Sequence, residues 1–202
     1  MGIFLIVTEH RGFLDEARLR AYERVRRRLE TVAATTVSRS HYAEVEDIQD
    51  CDAVVLSGSS APWATHDERM LERLGEAVRA FDGPVLGICA GMQLQAMFAG
   101  GSVSRAQREA ATGFAPVEVV DEGDLLRGLA PQITVYHRHT DEVTSVPKGF
   151  RVVARSAQCE VEAIVDPARR WWGTQFHPEE FSPSHPDGER VLRNFFELAR
   201  VR

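Results

Sequence analysis

The chain reads Pro84-Val85-Leu86-Gly87-Ile88-Cys89-Ala90-Gly91-Met92-Gln93 where a short apolar run meets a segment with helical character. The apolar run Val85–Ile88 predicts a buried strand, and residues 91–99 predict a helix. Gly87 and Gly91 flank the cysteine as Gly-x-Cys-x-Gly, the thiol counterpart of the Gly-x-Ser-x-Gly turn that presents a nucleophile. A side chain at either glycine is expected to collide with the neighbouring strand or helix. Cys89 is thereby placed at a helix N-terminus, where the partial positive charge favours thiolate over thiol.

Strands and helices alternate along the first half of the chain. Apolar runs predict strands at Ile3–Val7, 32–37, Ala53–Leu56 and Val85–Ile88, and helical spacing predicts helices at 15–29 and 66–81. The residues of the first helix expected to face the core are Ala17, Ala21, Val25 and Leu29. This alternation predicts an α/β fold, with a mostly parallel central sheet, helices on both faces, and active groups at the carboxyl ends of the strands.

The second half of the chain changes to short strands separated by turns that carry Gly, Pro and Asp. These strands are expected at 115–120, 133–136, 152–156, 161–165 and Trp171–Thr174, before a last helix at 188–202. They predict a small antiparallel extension of the sheet. No Pro/Ser/Gly-rich linker or internal repeat divides the sequence, so we expect one domain over residues 1–202.

A second motif, Gln175-Phe176-His177-Pro178-Glu179, offers a base for the cysteine. His177 can take the thiol proton, and Glu179 can orient the imidazole and stabilise its charge. Taken alone, each motif also has a purely structural interpretation: a buried cysteine at a strand end, and a surface histidine before a proline turn. The order cysteine, histidine, carboxylate, each in a structured context, favours a catalytic Cys-His-Glu triad.

These two motifs resemble the signatures of the class I (triad-type) glutamine amidotransferase family. A third segment, Val54-Val55-Leu56-Ser57-Gly58-Ser59-Ser60, is similar to the oxyanion loop of that family. The resemblance covers nearly the whole chain and implies a flavodoxin-like amidotransferase fold. Within the family, the chain most resembles the glutaminase part of GMP synthetase. The further segments that resemble this part are residues 100–103, 113–114, 139–143, 147–150 and 193–195.

The resemblance implies a reaction in which the Cys89 thiolate attacks the side-chain amide of L-glutamine. Ammonia leaves, and water then hydrolyses the γ-glutamyl thioester to glutamate. The expected oxyanion-hole donors are backbone N–H groups of Gly58 or Ser59 and of Ala90. The residues that the resemblance assigns to substrate binding are Gln93, Arg138 and His139. A structural role for the histidine at position 139 is an equally favoured alternative.

Two segments depart from the pattern of the GMP synthetase subfamily. Ser57-Gly58-Ser59-Ser60 replaces Ser-Gly-Gly-Pro, which keeps a backbone donor but restricts φ and ψ at position 59. Arg138-His139-Thr140-Asp141 replaces Ser-His-Gly-Asp, in the segment expected to hold the amino-acid end of glutamine. Glutamine hydrolysis is therefore indicated by more of the sequence than GMP synthesis is.

Composition narrows the class of protein. The chain has 202 residues, 44% hydrophobic content and a formal net charge of −6, which suits a folded domain and argues against nucleic-acid binding. The cysteines at 51, 89 and 159 show neither metal-site nor disulfide spacing, so we expect no metal, no cofactor and a reducing cytoplasm. No stretch is apolar enough to span a membrane, and residues 1–7 do not predict a signal peptide.

The partners follow from the chemistry that the chain lacks. It contains no Gly-x-x-x-x-Gly-Lys-Ser/Thr phosphate loop and no second domain that would activate an acceptor with ATP. A glutaminase of this kind is expected to deliver ammonia to a separate ATP-dependent synthetase subunit. The alternatives are a free-standing hydrolase of γ-glutamyl compounds and a catalytically silent regulatory module.

Overall fold

The computed structural model describes residues 2–45, 47–108 and 112–199. Its helices are α1 (Glu16–Ala33), α2 (Glu68–Ala80), α3 (Ala90–Phe98) and α4 (Asp187–Leu198). Its strands are β1 (Ile3–Val7), β2 (Val37–His41), β3 (Ala53–Leu56), β4 (Val85–Ile88), β5 (Ser102–Arg105), β6 (Gly113–Val119), β7 (Gln132–His137), β8 (Asp141–Ser145), β9 (Arg151–Arg155), β10 (Ala163–Asp166) and β11 (Trp171–Thr174).

Most strands belong to one mixed sheet in the order β2-β1-β3-β4-β11-β10-β9-β6-β7, and β5 pairs with β8 separately. The pairs from β2 to β11 are parallel. The pairs from β11 to β7 are antiparallel. The α/β fold expected from the alternating elements is confirmed, and the antiparallel strands continue the same sheet. The carboxyl ends of β3, β4 and β11 lie side by side, because β4 pairs with both of its neighbours in parallel.

The two faces of the parallel strands are buried by different helices. Leu5, Val55 and Leu86 lie in one core cluster with side chains of α1 and α4. Ile6, Leu56 and Val85, each adjacent in its strand to one of these residues, lie in a second cluster with side chains of α2 and α3. Strands buried on both faces require nearly continuous apolar runs, which these strands have. Across the described part of the chain, no helix is long and apolar enough to cross a membrane.

The strand expected at 32–37 is wrong in its position. The chain stays helical to Ala33, leaves the helix through Ala34 at φ 53°, and begins β2 only at Val37. Val32 lies three residues after Leu29, so continuing the helix buries both side chains on one face. The expected core face of α1 is also wrong at its start, since Ala17 is exposed.

The sequence pattern did not predict the β5–β8 ribbon, because each of its strands has a single apolar residue, Val103 in β5 and Val143 in β8. Only Val143 of β8 is buried, and β5 is mostly exposed. Strand β8 nevertheless begins directly after residues 138–140, which belong to the segment assigned to substrate binding. Its pairing with β5 places the start of β8 beside Arg105.

The turn around Cys89 requires glycine at two positions that pack against backbone. A Cβ on Gly87 would lie 2.5 Å from the carbonyl carbon of Gly91. A Cβ on Gly91 would lie 2.3 Å from the carbonyl oxygen of Leu56 at the end of β3. Cys89 itself adopts φ 52° and ψ −106°, a left-handed conformation that a non-glycine residue rarely occupies. The strained turn is therefore held by close contact between α3, β3 and β4.

Replacing Gly91 by alanine is expected to lower the free energy of unfolding by about 1–3 kcal/mol, because the new Cβ must displace the main chain of β3. Urea unfolding of the wild-type and variant chains measures this change. Gly12→Ala is the matched control, since a Cβ there meets only the His10 ring, at 3.2 Å, in an exposed turn. Equal stability of the two variants would contradict the tight packing at position 91.

Candidate active site

Three loops that are distant in sequence meet at one edge of the sheet. Residues 57–60 follow β3, Cys89 follows β4, and residues 175–179 follow β11. Because β4 lies between the other two strands and runs parallel to both, their carboxyl ends open onto the same region. The structure thus brings together the three segments that the sequence singled out.

Cys89 is buried at this edge, with 4% of its surface exposed. Its backbone N–H donates to the carbonyl of Thr174 at 2.7 Å, which ties the turn to β11. Its sulfur lies 3.5 Å from the side-chain nitrogen of Gln175 and 3.8 Å from the carbonyl oxygen of Arg138. The thiol is therefore surrounded by polar groups in a site largely closed to solvent.

His177 lies between a carboxylate and the environment of the thiol. Its Nδ1 is 2.8 Å from Glu179 Oε1, and its Nε2 is 3.3 Å from the same Arg138 carbonyl oxygen that the thiol approaches. Burial disfavours the imidazolium, but the Glu179 carboxylate and a Cys89 thiolate outweigh this and raise the pKa of His177 well above its usual value. The site therefore favours a protonated His177 next to the sulfur of Cys89.

The two proposed sources of oxyanion donors flank the nucleophile. Ala90 is the first residue of α3, so its N–H has no acceptor within the helix. Gly58 lies so close to the histidine that a Cβ on it would be 2.9 Å from His177 Cε1 and 3.6 Å from Cys89 Cβ. The carbonyl of Gly58 accepts a hydrogen bond from the Tyr22 hydroxyl at 3.0 Å.

A buried carboxylate behind this loop was missed by the sequence analysis. Glu9, which follows β1, is 1% exposed and accepts hydrogen bonds from the backbone and side chains of residues 59–61. Burial raises its pKa, but the hydrogen bonds from Ser60, Ser59 and Ala61 outweigh burial, and the pKa of Glu9 is lowered. Its position two residues beyond a strand, at the edge where active groups gather, was the available signal.

A small cavity of about 30 Å³ opens beside the nucleophile, with room for a water molecule or two. Its lining includes Cys89, Ala90, Gln93, His139 and Trp63. Trp63 was not singled out from the sequence. On the other side of the histidine is a cavity of about 120 Å³, lined by residues that include Tyr22, Tyr136, Arg138 and His177.

The three residues assigned to substrate binding lie in different surroundings. The Gln93 amide is bonded within the protein: Oε1 accepts from Trp63 Nε1 at 3.0 Å, while Nε2 donates to the Asp141 carbonyl at 2.7 Å and to Gln175 Oε1 at 3.1 Å. His139 lines the small cavity, and neither of its ring nitrogens has a hydrogen-bond partner within the described ranges. Arg138 is exposed and lines the larger cavity. Their roles toward substrate stay predictions.

One protein family matches most of the chain. Residues 17–199 match the model of the family described as glutamine amidotransferase class-I. The chain belongs to this family. The family and the fold expected from the motifs around Cys89 and His177 are thereby confirmed.

Individual relatives of this amidotransferase point to one subgroup. A protein of Methanosarcina acetivorans named as a subunit of glutamine-hydrolyzing GMP synthase is 41% identical over 162 residues, covering 76% of this chain and 78% of the relative. The protein of the same name from Sulfolobus acidocaldarius is 38% identical over 160 residues, covering 77% and 81%.

Solved structures agree with this. A crystal structure assigned to a GMP synthase subunit of Thermoplasma acidophilum superposes with a TM-score of 0.78 at 27% identity, covering 99% of this chain and 95% of that one. A glutamine amidotransferase from Thermotoga maritima superposes with a TM-score of 0.69 over 88% of this chain and 76% of its own. Its 19% identity speaks to the fold alone.

A buried histidine–glutamate pair, His137 and Glu162, lies behind the candidate site of the amidotransferase. His137 Nδ1 is 3.5 Å from Glu162 Oε1, and both side chains are almost fully inaccessible to solvent. Burial lowers the pKa of His137 to about 4. Burial also raises the pKa of Glu162 to about 7, and the nearby Glu142 carboxylate adds to this rise. Between these values the pair is uncharged.

Within residues 2–45, 47–108 and 112–199, no cluster of three or more His, Cys, Asp or Glu side chains could hold a metal ion.

Glu162→Gln is expected to remove a pH dependence from the stability of the amidotransferase. From pH 4.5, the usual pKa of glutamate, to about pH 7, the unfolded chain releases this proton while the folded chain retains it. Folding therefore becomes less favourable as the pH rises through this window, on the order of 2–3 kcal/mol in total. The glutamine at position 162 of the variant does not titrate. The free energy of unfolding of the variant minus that of wild type should therefore be larger at pH 8 than at pH 5.

Urea unfolding of both chains at pH 5 and pH 8 tests this expectation. Glu76→Gln is a suitable control, because Glu76 is exposed on α2. A stability difference between wild type and Glu162→Gln that is the same at both pH values would contradict the burial of an uncharged carboxyl group.

Proposed function

We propose that this amidotransferase hydrolyses L-glutamine through Cys89, His177 and Glu179 and delivers the ammonia to a separate ATP-dependent synthetase subunit. One observation carries the proposal. Cys89, in a strained turn at the N-terminus of α3, and His177 Nε2 both approach the carbonyl oxygen of Arg138, and His177 Nδ1 lies 2.8 Å from the buried carboxylate of Glu179. A single domain located in the cytoplasm, as expected from the sequence, is part of the proposal.

The first half of the reaction uses the charge distribution of the site. The thiolate of Cys89 attacks the carbonyl carbon of the glutamine side-chain amide, forming a C–S bond and a tetrahedral oxyanion. The N–H of Ala90 and a loop N–H of Gly58 or Ser59 stabilise the negative charge on that oxygen. His177, protonated because its pKa is raised, then donates its proton to the departing nitrogen, the C–N bond breaks, and ammonia leaves.

The second half regenerates the thiolate. The γ-glutamyl thioester on Cys89 is attacked by a water molecule, whose proton passes to the now neutral His177. A second tetrahedral oxyanion collapses, the C–S bond breaks, and glutamate is released. Glu179 holds His177 Nδ1 in both halves, so that Nε2 stays directed at the reacting atoms.

The choice of synthetase is supported by the relatives. Proteins named as a subunit of glutamine-hydrolyzing GMP synthase are 36% to 41% identical to this chain over about three quarters of its length. We therefore propose that the partner is a synthetase of the GMP-forming type. The departures at Ser59, Ser60, Arg138 and Thr140 lie in loops around the site and leave the triad residues intact.

Replacing Cys89 by alanine is expected to lower kcat for glutamine hydrolysis by at least about 10⁴-fold, because the nucleophile is lost. Glutamate release measures this. Cys51→Ser is the matched control, because Cys51 is half-buried and its sulfur donates to the carbonyl of Ile48, a bond that serine also makes. Unchanged glutamate production by the alanine variant would contradict the proposed mechanism. An electrophilic glutamine analogue should label only Cys89 in the wild-type chain, as read by peptide mass spectrometry.

Adding the cognate ATP-dependent synthetase subunit with ATP and its acceptor is expected to raise glutamine hydrolysis by the wild-type chain. The mixture should form aminated product from either glutamine or ammonium. With Cys89→Ala, the glutamine-dependent product should disappear while the ammonium-dependent product remains. Fast hydrolysis of γ-glutamyl amides by the isolated chain, with no response to any synthetase, would favour the free-standing hydrolase. If the wild-type chain hydrolyses no glutamine under any of these conditions, that result would favour a regulatory module.

A further inference from the structure

We infer that Glu9 is a positioning residue for the oxyanion loop, and that it acts together with Ser59 and Ser60. This inference deepens the proposed function, on which it rests. The loop contributes an N–H of Gly58 or Ser59 to the reaction, and nothing in the catalytic triad itself holds that loop in place. The buried carboxylate of Glu9 supplies the anchor.

The Glu9 carboxylate accepts hydrogen bonds from three consecutive residues of the loop. Its Oε1 accepts from Ser59 Oγ at 2.8 Å and from the Ala61 N–H at 2.9 Å. Its Oε2 accepts from both the N–H of Ser60, at 3.0 Å, and the Ser60 hydroxyl, at 2.7 Å. Arg18 donates to Oε2 at 2.8 Å and balances the charge. Four donors from three consecutive loop residues thus converge on one side chain.

These contacts use the N–H groups at the far end of the loop and leave those of Gly58 and Ser59 to face other groups. The N–H groups of Ser60 and Ala61 are used by Glu9. The carbonyl of Gly58 is held by the Tyr22 hydroxyl at 3.0 Å and by the Thr8 hydroxyl at 3.3 Å. In a trans peptide, the N–H of the next residue points the opposite way from that carbonyl. The N–H of Ser59 therefore points away from the Tyr22 hydroxyl, which leaves it available as an oxyanion donor.

The two serines supply donors to the Glu9 carboxylate. The resembling subfamily has Gly-Pro at these positions, and proline restricts φ and has no N–H to satisfy. This chain has Ser59 and Ser60, which bring an N–H and two hydroxyl groups to this part of the loop. Glu9 accepts all three, so the hydrogen-bonded anchor replaces the stiffness of proline.

Glu9→Gln tests the inference, because the amide nitrogen replaces one acceptor with a donor facing loop donors. We expect kcat for glutamine hydrolysis to fall by about 10- to 100-fold, since a misplaced oxyanion donor costs mainly transition-state stabilisation. KM should change by less than about threefold. Alkylation of Cys89 by iodoacetamide should keep its wild-type rate, because that displacement forms no oxyanion. Glu44→Gln, which removes one exposed ion pair with Arg11, is the control and should match wild type.

The double variant Ser59→Ala/Ser60→Ala keeps the carboxylate and removes only its two hydroxyl donors. We expect an intermediate fall in kcat with unchanged alkylation, and this variant serves if Glu9→Gln does not fold. Wild-type kcat in either folded variant would overturn the inference. So would a loss of alkylation equal to the loss of kcat, because that result indicates general damage around Cys89. A wild-type chain without glutaminase activity, with or without a synthetase, would instead count against the proposed function.

Discussion

The candidate active site depends on the close approach of the first turn of α3 to the backbone of β3. Gly91 permits that approach, because any side chain there would overlap the Leu56 carbonyl. The approach in turn holds Cys89 in a left-handed conformation at the end of β4, with its backbone tied to β11. The strain at one residue is therefore maintained by three elements of the sheet and helix layer. A looser turn would let the sulfur leave the position that the histidine can reach.

Three buried carboxyl groups around this turn have different roles because their surroundings differ. Glu179 faces an imidazole at 2.8 Å and raises its pKa. Glu9 receives loop N–H and hydroxyl groups, which lower its own pKa and keep it charged. Glu162 is buried beside neutral His137, and the cost of burying its charge dominates, so its pKa rises to about 7. The same functional group thus supplies charge, anchors a loop, or stays protonated according to its neighbours.

Much of the fold was predictable from local pattern. The strands β1, β3, β4 and β11 were predicted at their observed bounds, because each is a short apolar run next to a turn. The expected strand at 32–37 was wrong because a short, partly apolar run does not distinguish a helix end from a strand. The polar strands β5 and β8 carry too few apolar residues to produce a signal, and their pairing depends on contacts between residues about forty positions apart.

The residues of the candidate site divide along the same line. Cys89, His177 and Glu179 could be predicted from the sequence. The turn that presents the nucleophile and the histidine–carboxylate pair are each encoded by a short local motif. The roles of Glu9, Trp63 and Gln175 became visible only when the chain was folded. Their partners lie between thirty and eighty-six positions away, and a hydrogen bond over that separation leaves no periodic or local mark in a single sequence. Local sterics specify the turn, whereas long-range packing specifies what surrounds it.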